Sequence, residues 1–266
     1  STSVSRQKLR PPVQASPFSP AFSGAAHLAV ATTVTELQAL DAGGKILLLR
    51  GEIAAEPFMP KRFPFFSVDE QQQVFSLLEA KAPLALVTAC PPSPGMSGGL
   101  YPTPLFEDGD FDIPSCYLSQ EDGERLAAYT GQLVKLAIQS RRIKARASNI
   151  IARKAAAAGK EASAFLLFTA HLDSKPTTPG ALDNAAGVVT LLLLAEMLKE
   201  EELPLDIEIV AFNGEDYYAA PGEVAYLQQV ESRFPELRLV VNMDGLGYVH
   251  GATHYSTYNL PPAIEA

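Results

Sequence analysis

The stretch Ala164-Phe165-Leu166-Leu167-Phe168-Thr169-Ala170-His171-Leu172-Asp173-Ser174 decides the fold. Its first part is short, unbroken and apolar, which reads as a strand covered on both faces, and polar chemistry begins where the strand stops. Upstream, Asn149 to Ala152 reads as another strand, followed by an Ala/Gly/Lys turn. Downstream come a long helix from Asp183 to about Glu201, a strand from Leu205 to Phe212, a helix from Glu223 to Glu231, and a strand from Leu237 to Asn242. Strands alternating with helices predict an α/β fold: a mostly parallel sheet with helices on both faces, whose ligands gather at the carboxyl ends of the strands.

An ordered series of acidic and imidazole groups occupies those places: His171 after the first strand, Asp183 at the start of the long helix, Glu215-Asp216 after the second strand, and Asp244 after the third. Each has an ordinary reading beside the chemical one. His171 reads either as a loop histidine or as a metal ligand whose second ring nitrogen is held by a neighbouring carboxylate such as Asp173. Asp183 reads as a helix cap, although Pro179-Gly180 before it sets a turn that aims its carboxylate outward. Glu215 and Asp216 are adjacent carboxylates that repel unless a cation or separate roles divide them. One can then bind metal while the other takes a proton from water. Asp244 ends an apolar strand, and Gly245 and Gly247 after it leave room for close backbone approach. Four such groups at matching places imply a two-metal hydrolase.

Composition narrows the alternatives. The 266 residues are 47% hydrophobic, enough for one large or two modest domains, and 30 acidic against 21 basic residues give a formal charge of −9 that disfavours nucleic acid as a partner. The short basic run Arg141-Arg142-Ile143-Lys144-Ala145-Arg146 reads as a solvated edge or linker. Cys90 and Cys116 lack any Cys-x-x-Cys spacing and read as buried free thiols. The longest apolar stretch, Ala185 to Ala195, is about half of what crosses a bilayer, so it reads as a buried helix and no membrane partner is expected.

The organisation expected is a Pro/Ser-rich arm and lead-in over residues 1–40, a strand-rich domain over 41–146 and a site-bearing domain over 147–266. In the middle part, Lys45 to Arg50, Leu84 to Thr88, Phe111 to Pro114, Cys116 to Ser119 and Leu133 to Ile138 read as strands, with helices from Val68 to Ala80 and from Gln120.

The order His171-Leu172-Asp173-Ser174, Pro179-Gly180-Ala181-Leu182-Asp183-Asn184-Ala185-Ala186-Gly187, Gly214-Glu215-Asp216 and Asn242-Met243-Asp244 resembles the zinc aminopeptidase and glutamate carboxypeptidase family of co-catalytic metallopeptidases. The spacings agree as well: 12 residues from His171 to Asp183, 32 from Asp183 to Glu215 and 28 from Asp216 to Asp244. The middle part is similar to the protease-associated domain that many members carry. The resemblance implies an exopeptidase acting on peptide substrates with two Zn2+ ions per complete site. It makes Asp183 the carboxylate shared by both ions, His171 and Asp244 further ligands of one, Asp216 a ligand of the other, Glu215 the general base, and Asp173 the group that orients His171.

The family's last histidine ligand lies farther along than the 22 residues that follow Asp244, and His250 and His254 stand too close to match it. The family's opening helical segment is also missing before the Pro-rich arm, so by this resemblance the sequence reads as a piece cut at both ends. Two rival readings share the scaffold: a non-catalytic binding protein that has lost its ligands, and a single-zinc glutaminyl cyclase.

Overall fold

Local sequence forces decide where each sheet forms. The computed structural model describes residues 9–65, 67–92, 101–157, 164–175 and 178–260. The chain divides into two units, Ser1–Ala145 and Arg146–Ala266, and each builds its own sheet.

In the first unit the chain runs β1 (Gln14–Ala15), β2 (Phe22–Ala31), α1 (Val34–Ala39), β3 (Ile46–Arg50), α2 (Asp69–Lys81), β4 (Ala85–Ala89), β5 (Ser115–Tyr117), α3 (Gln120–Ala127) and β6 (Leu133–Ile138). The sheet order is β1-β5-β4-β3-β2-β6; the four middle strands are parallel and the two edges antiparallel to their neighbours. Strand β3 lies at the centre, where Ile46, Leu47, Leu48 and Leu49 are all buried, as an apolar run covered on both faces requires. On one face Phe58, Phe75, Phe106 and Phe111 pack mainly edge-on beneath α1 and α2. On the other, Leu28, Ile46, Val87 and Leu118 form a second core with Leu126 of α3. Thr33 caps α1 by accepting from the Glu36 amide, and the Glu36 carboxylate returns to the Thr32 amide. Cys90 and Cys116 are buried free thiols, and burial pushes both up to about 12.

Two expectations for this unit are corrected. Residues 1–40 are not an arm throughout: β2 inserts between β3 and β6, and α1 packs on α2. The Ser/Ala/Gly-rich text of β2 is covered on both faces at its end, Ala26 and Leu28 turning into one core and Ala29 and Ala31 into the other, and small inward side chains carry little periodic signal. Phe111–Pro114 forms no strand, because Phe111 is drawn into the aromatic core while Asp108, ahead of it, accepts the amides of Lys61 and Asp110.

The second unit runs β7 (Ile150–Lys154), β8 (Phe165–His171), an irregular turn (Ala181–Ala185), α4 (Ala186–Leu198), β9 (Asp206–Phe212), α5 (Pro221–Val230), a tight helical turn (Glu231–Glu236) and β10 (Leu237–Asn242). The sheet order is β10-β8-β9-β7, with β8 parallel to both neighbours and β7 antiparallel at one edge. Helices cover both faces: α5 lays Tyr226 and Val230 on Phe165, Leu167, Val210 and Phe212, while α4 lays Leu191 and Val188 on Ala170 and Ala211. The turn expected between β7 and β8 lies largely outside the described residues.

Glu208, in the middle of β9, is 1% exposed and accepts from Tyr226 Oη, Arg153 Nε and Arg233 Nη1. Burial alone would push its pKa up, but these three donors outweigh it and hold it below the usual carboxylate value. Arg233 also stacks 4.3 Å over the Phe165 ring.

The helix read as buried is not. Only Gly187 and Leu191 of α4 are buried, whereas Leu192, Leu193 and Met197 are 65, 61 and 74% exposed. An unbroken apolar run tells how much of a helix is greasy, not which faces find a partner. The window Ala181–Leu198 is long and apolar enough by composition to cross a membrane, yet one face of α4 packs on β8 and β9.

Candidate metal centre

Parallel pairing in level register brings three strand ends together: His171 pairs with Phe212 across β8 and β9, and Asn242 with Thr169 across β10 and β8. Hydrogen bonds beyond the strands keep the ends level, with Met243 N donating to Thr169 O, Leu172 N to Phe212 O, and Thr169 Oγ1 to Asn242 Oδ1. His171 therefore sits at the end of β8, Glu215 and Asp216 just past β9, and Asp244 just past β10.

The His171 imidazole is 3% exposed. Its Nδ1–H donates to the backbone carbonyl of Asp173 at 3.1 Å, which leaves Nε2 pointing away from the strand. Nε2 lies 3.0 Å from Asp183 Oδ1 and 3.4 Å from Asp244 Oδ1, but neither oxygen is aligned for a hydrogen bond. Burial pulls the His171 pKa down; the Asp244 carboxylate, with Glu215 and Asp183, outweighs it and raises it to about 9. Asp244 is held below its ordinary value chiefly by His171 in return.

Asp183 reaches this place through its neighbour. Gly180 adopts φ 64°, and Asp183 and Asn184 leave helical geometry before α4 begins. The Asp183–Asn184 peptide is cis. Asn184 is 1% exposed; its Nδ2 donates to Met243 O at 2.9 Å and its Oδ1 accepts from Gly187 N at 3.0 Å. One amide thus caps α4 and ties Asp183 to the residue before Asp244. Gly187 has no room for a side chain, since a Cβ there would stand 2.3 Å from Met243 O.

The loop after β9 is wrapped around Asp173. Its Oδ1 accepts the amides of Gly214 (2.8 Å) and Glu215 (3.2 Å), and its Oδ2 that of Asp216 (3.2 Å). The carboxylate lies 3.8 Å from His171 Nδ1, so the ring is held mainly by the Asp173 carbonyl while the side chain organises the Glu215-Asp216 backbone. Burial raises the Glu215 pKa, Asp216, Asp244 and Asp183 push the same way, and His171 opposes them. Asp216 is also raised, by burial first and then by Asp183. Lys175 Nζ donates to the Asp216 carbonyl at 3.0 Å.

One donor atom each from His171, Asp183 and Asp216 lie within 4.8 Å of one another, the one such grouping among the described residues. Asp244 approaches the same imidazole from β10. His171 Nε2 and Asp216 Oδ2 are buried without a hydrogen-bond partner. Unpaired nitrogen and oxygen lone pairs gathered among several carboxylates are what a divalent cation satisfies, and one imidazole with three carboxylates suits Zn2+. His250 and His254 are exposed and stand outside the group, with His250 edge-on to Tyr248.

Three residues near the site escaped the sequence reading: Asn149, Asn184 and Glu223. Only Asn184 carried a signal, its place beside Asp183 at the start of an apolar helix. Glu223, in the first turn of α5, is 7% exposed with Oε2 unpaired. Burial, reinforced by Glu215 and Asp173, pushes it up to about 7.

Residues 149–264 match the model of peptidase family M28. The chain is 28% identical over 155 residues to the aminopeptidase YwaD of Bacillus subtilis strain 168, an overlap of 58% of this chain and 33% of that protein. Its fold is similar to a zinc aminopeptidase from Bacillus subtilis (22% identity, TM-score 0.61, 88% of this chain and 53% of that one). It is likewise similar to the aminopeptidase from Aneurinibacillus sp. strain AM-1 (18%, TM-score 0.59, 89% and 54%). The chain spans about half the length of these structures and a third of the curated relative. The family match covers every one of the motifs that carry the site, and through residues 149–264 the chain is similar to peptidase family M28.

Proposed function

We propose that the protein is a zinc-dependent exopeptidase of the aminopeptidase type, with its site at the ends of β8, β9 and β10. The observation that carries this reading is the convergence of His171 Nε2, Asp183 and Asp216, with two buried polar atoms left unpaired, beside a glutamate whose pKa is raised.

His171, Asp183, Asp216 and Asp244 would hold the metal. Zinc bound there supplies Lewis acidity, which polarises a peptide carbonyl and makes water acidic near neutral pH. Glu215 is the general base: it removes a proton from the attacking water and gives it to the departing amine. Its raised pKa brings it toward the operating pH, where a base both accepts and returns a proton efficiently. Asp173 fixes the backbone that presents Glu215 and Asp216.

The test is release of the N-terminal residue from unblocked and N-acetylated peptides by the full-length protein with zinc. Glu215→Gln keeps the shape of the side chain but cannot take the proton, so it should lower kcat by about 10²–10⁴-fold while zinc stays bound. Full activity in that variant, or preference for the blocked peptide, would overturn the reading.

A further inference from the structure

The loop that carries Glu215 and Asp216 has two ends, and the metal centre secures only one of them. Asp173 gathers the amides of Gly214, Glu215 and Asp216. Where the chain leaves β9 and re-enters structure at α5, the side chain of Asn149 spans the gap. Asn149, just ahead of β7, accepts from Asn213 N through Oδ1 at 3.0 Å and donates through Nδ2 to Gly222 O at 2.8 Å. One planar amide, using both its acceptor and its donor, therefore fixes the distance between the two ends of the loop. The approach is so close that residue 222 has no space for a side chain: a Cβ there would lie 2.2 Å from Asn213 O and 2.6 Å from Asn149 Oδ1. Gly214 takes φ 95° between these anchors, so the loop turns back sharply before its first carboxylate.

We infer that Asn149 is a positioning residue: by clasping Asn213 to Gly222 it holds the Glu215-Asp216 loop in the place where Asp173 can bind it. The inference rests on the reading of Glu215 as base and Asp216 as ligand, but the clasp has consequences that do not depend on catalysis. Without it, the loop ends separate, the three amides on Asp173 open more often, and Asp216 is presented less well to a cation. Partners one step removed from metal ligands commonly change affinity or rate by about 10–100-fold.

The test compares Asn149→Ala and Asn149→Asp with wild type and with Glu208→Gln, which weakens the same sheet at the Arg153-Tyr226-Arg233 network away from the loop. Asn149→Asp keeps the acceptor for Asn213 but places a second acceptor against Gly222 O, and it serves if the alanine variant does not fold. In the metal-free protein both variants should speed hydrogen exchange at the amides of Gly214, Glu215 and Asp216 by about tenfold or more, while Glu208→Gln lowers Tm without that local effect. With zinc, affinity and kcat should fall by about 10–100-fold with KM changed less than about threefold. Exchange at those amides within twofold of wild type would overturn the inference, as would equal effects from Glu208→Gln. If the loop opens as described but Glu215→Gln retains full activity, the clasp stands and the catalytic reading falls.

Discussion

Glu223 is a carboxyl group with an unpaired oxygen in a buried place, and its protonation is written into the stability of the second unit. Its pKa rises from an ordinary 4.5 to about 7 on folding, chiefly through burial. Below pH 4.5 both states carry the proton and nothing is gained or lost. Between 4.5 and 7 the unfolded chain gives up the proton while the folded one keeps it, so stability falls as pH rises, and above 7 the full loss persists. A shift of that size corresponds to roughly 3 kcal/mol. Glu223→Gln should therefore stabilise the metal-free protein by about 2–3 kcal/mol at pH 8 and leave it nearly unchanged near pH 4.5. Denaturant titrations at the two pH values check this, and an equal gain at both would refute it. At this scale the candidate site was legible where a residue's chemistry is intrinsic: an imidazole and three carboxylates past strand ends, with a fourth carboxylate at a helix start, stand out from the sequence alone. Asn149 and Asn184 did not, because an amide's role depends on which backbone groups, 59 to 73 residues away, it meets. Asp173 showed the same limit: its proximity to His171 was readable, but the three amides it gathers come from a loop more than 40 residues downstream.

Elements were legible where burial follows the periodic pattern. β10 runs from Leu237 to Asn242 as read, and β8 and β9 differ from their readings by a residue or two. The helix expected from Asp183 begins only at Ala186, because Asn184 turns its amide to cap the helix and to reach Met243, and the backbone leaves helical geometry to allow it. Such a competition between a side-chain cap and the helix is local in chemistry but is decided by β10. The junction yields a second prediction. Replacing Gly187 by Ala would favour the helix by about 1 kcal/mol on propensity alone. The new methyl would meet Met243 O at 2.3 Å and Asn184 Oδ1 at 2.4 Å, however, and overpacking of this kind costs about 1–3 kcal/mol, before the loss of the Asn184 bonds. Gly187→Ala should thus destabilise the unit and also weaken zinc binding, since Asp183 and Asp244 flank the displaced groups. Urea midpoints and zinc titration measure the two effects; a net gain in stability would show that α4 can shift without cost.

Across the whole molecule, two sheets with separate cores divide the labour unequally, since the proposed ligands all belong to the second. A metal that binds only the folded form stabilises what it touches, by about 2.7 kcal/mol when free zinc is 100 times its Kd. The first unit has its own aromatic core and none of the donors grouped around His171. Calorimetry of the protein should then show one transition that moves up with zinc and returns on chelation, and another that does not respond. Asp183→Asn, which removes the carboxylate closest to His171 Nε2, should abolish the zinc-dependent shift while leaving the unresponsive transition in place. Lowering pH should weaken the shift too, because each cation must displace the proton that Asp244 and its acidic neighbours help His171 to keep. If both transitions rose together with zinc, the two units would unfold as one cooperative body, and the metal's stabilisation would reach beyond the residues that hold it.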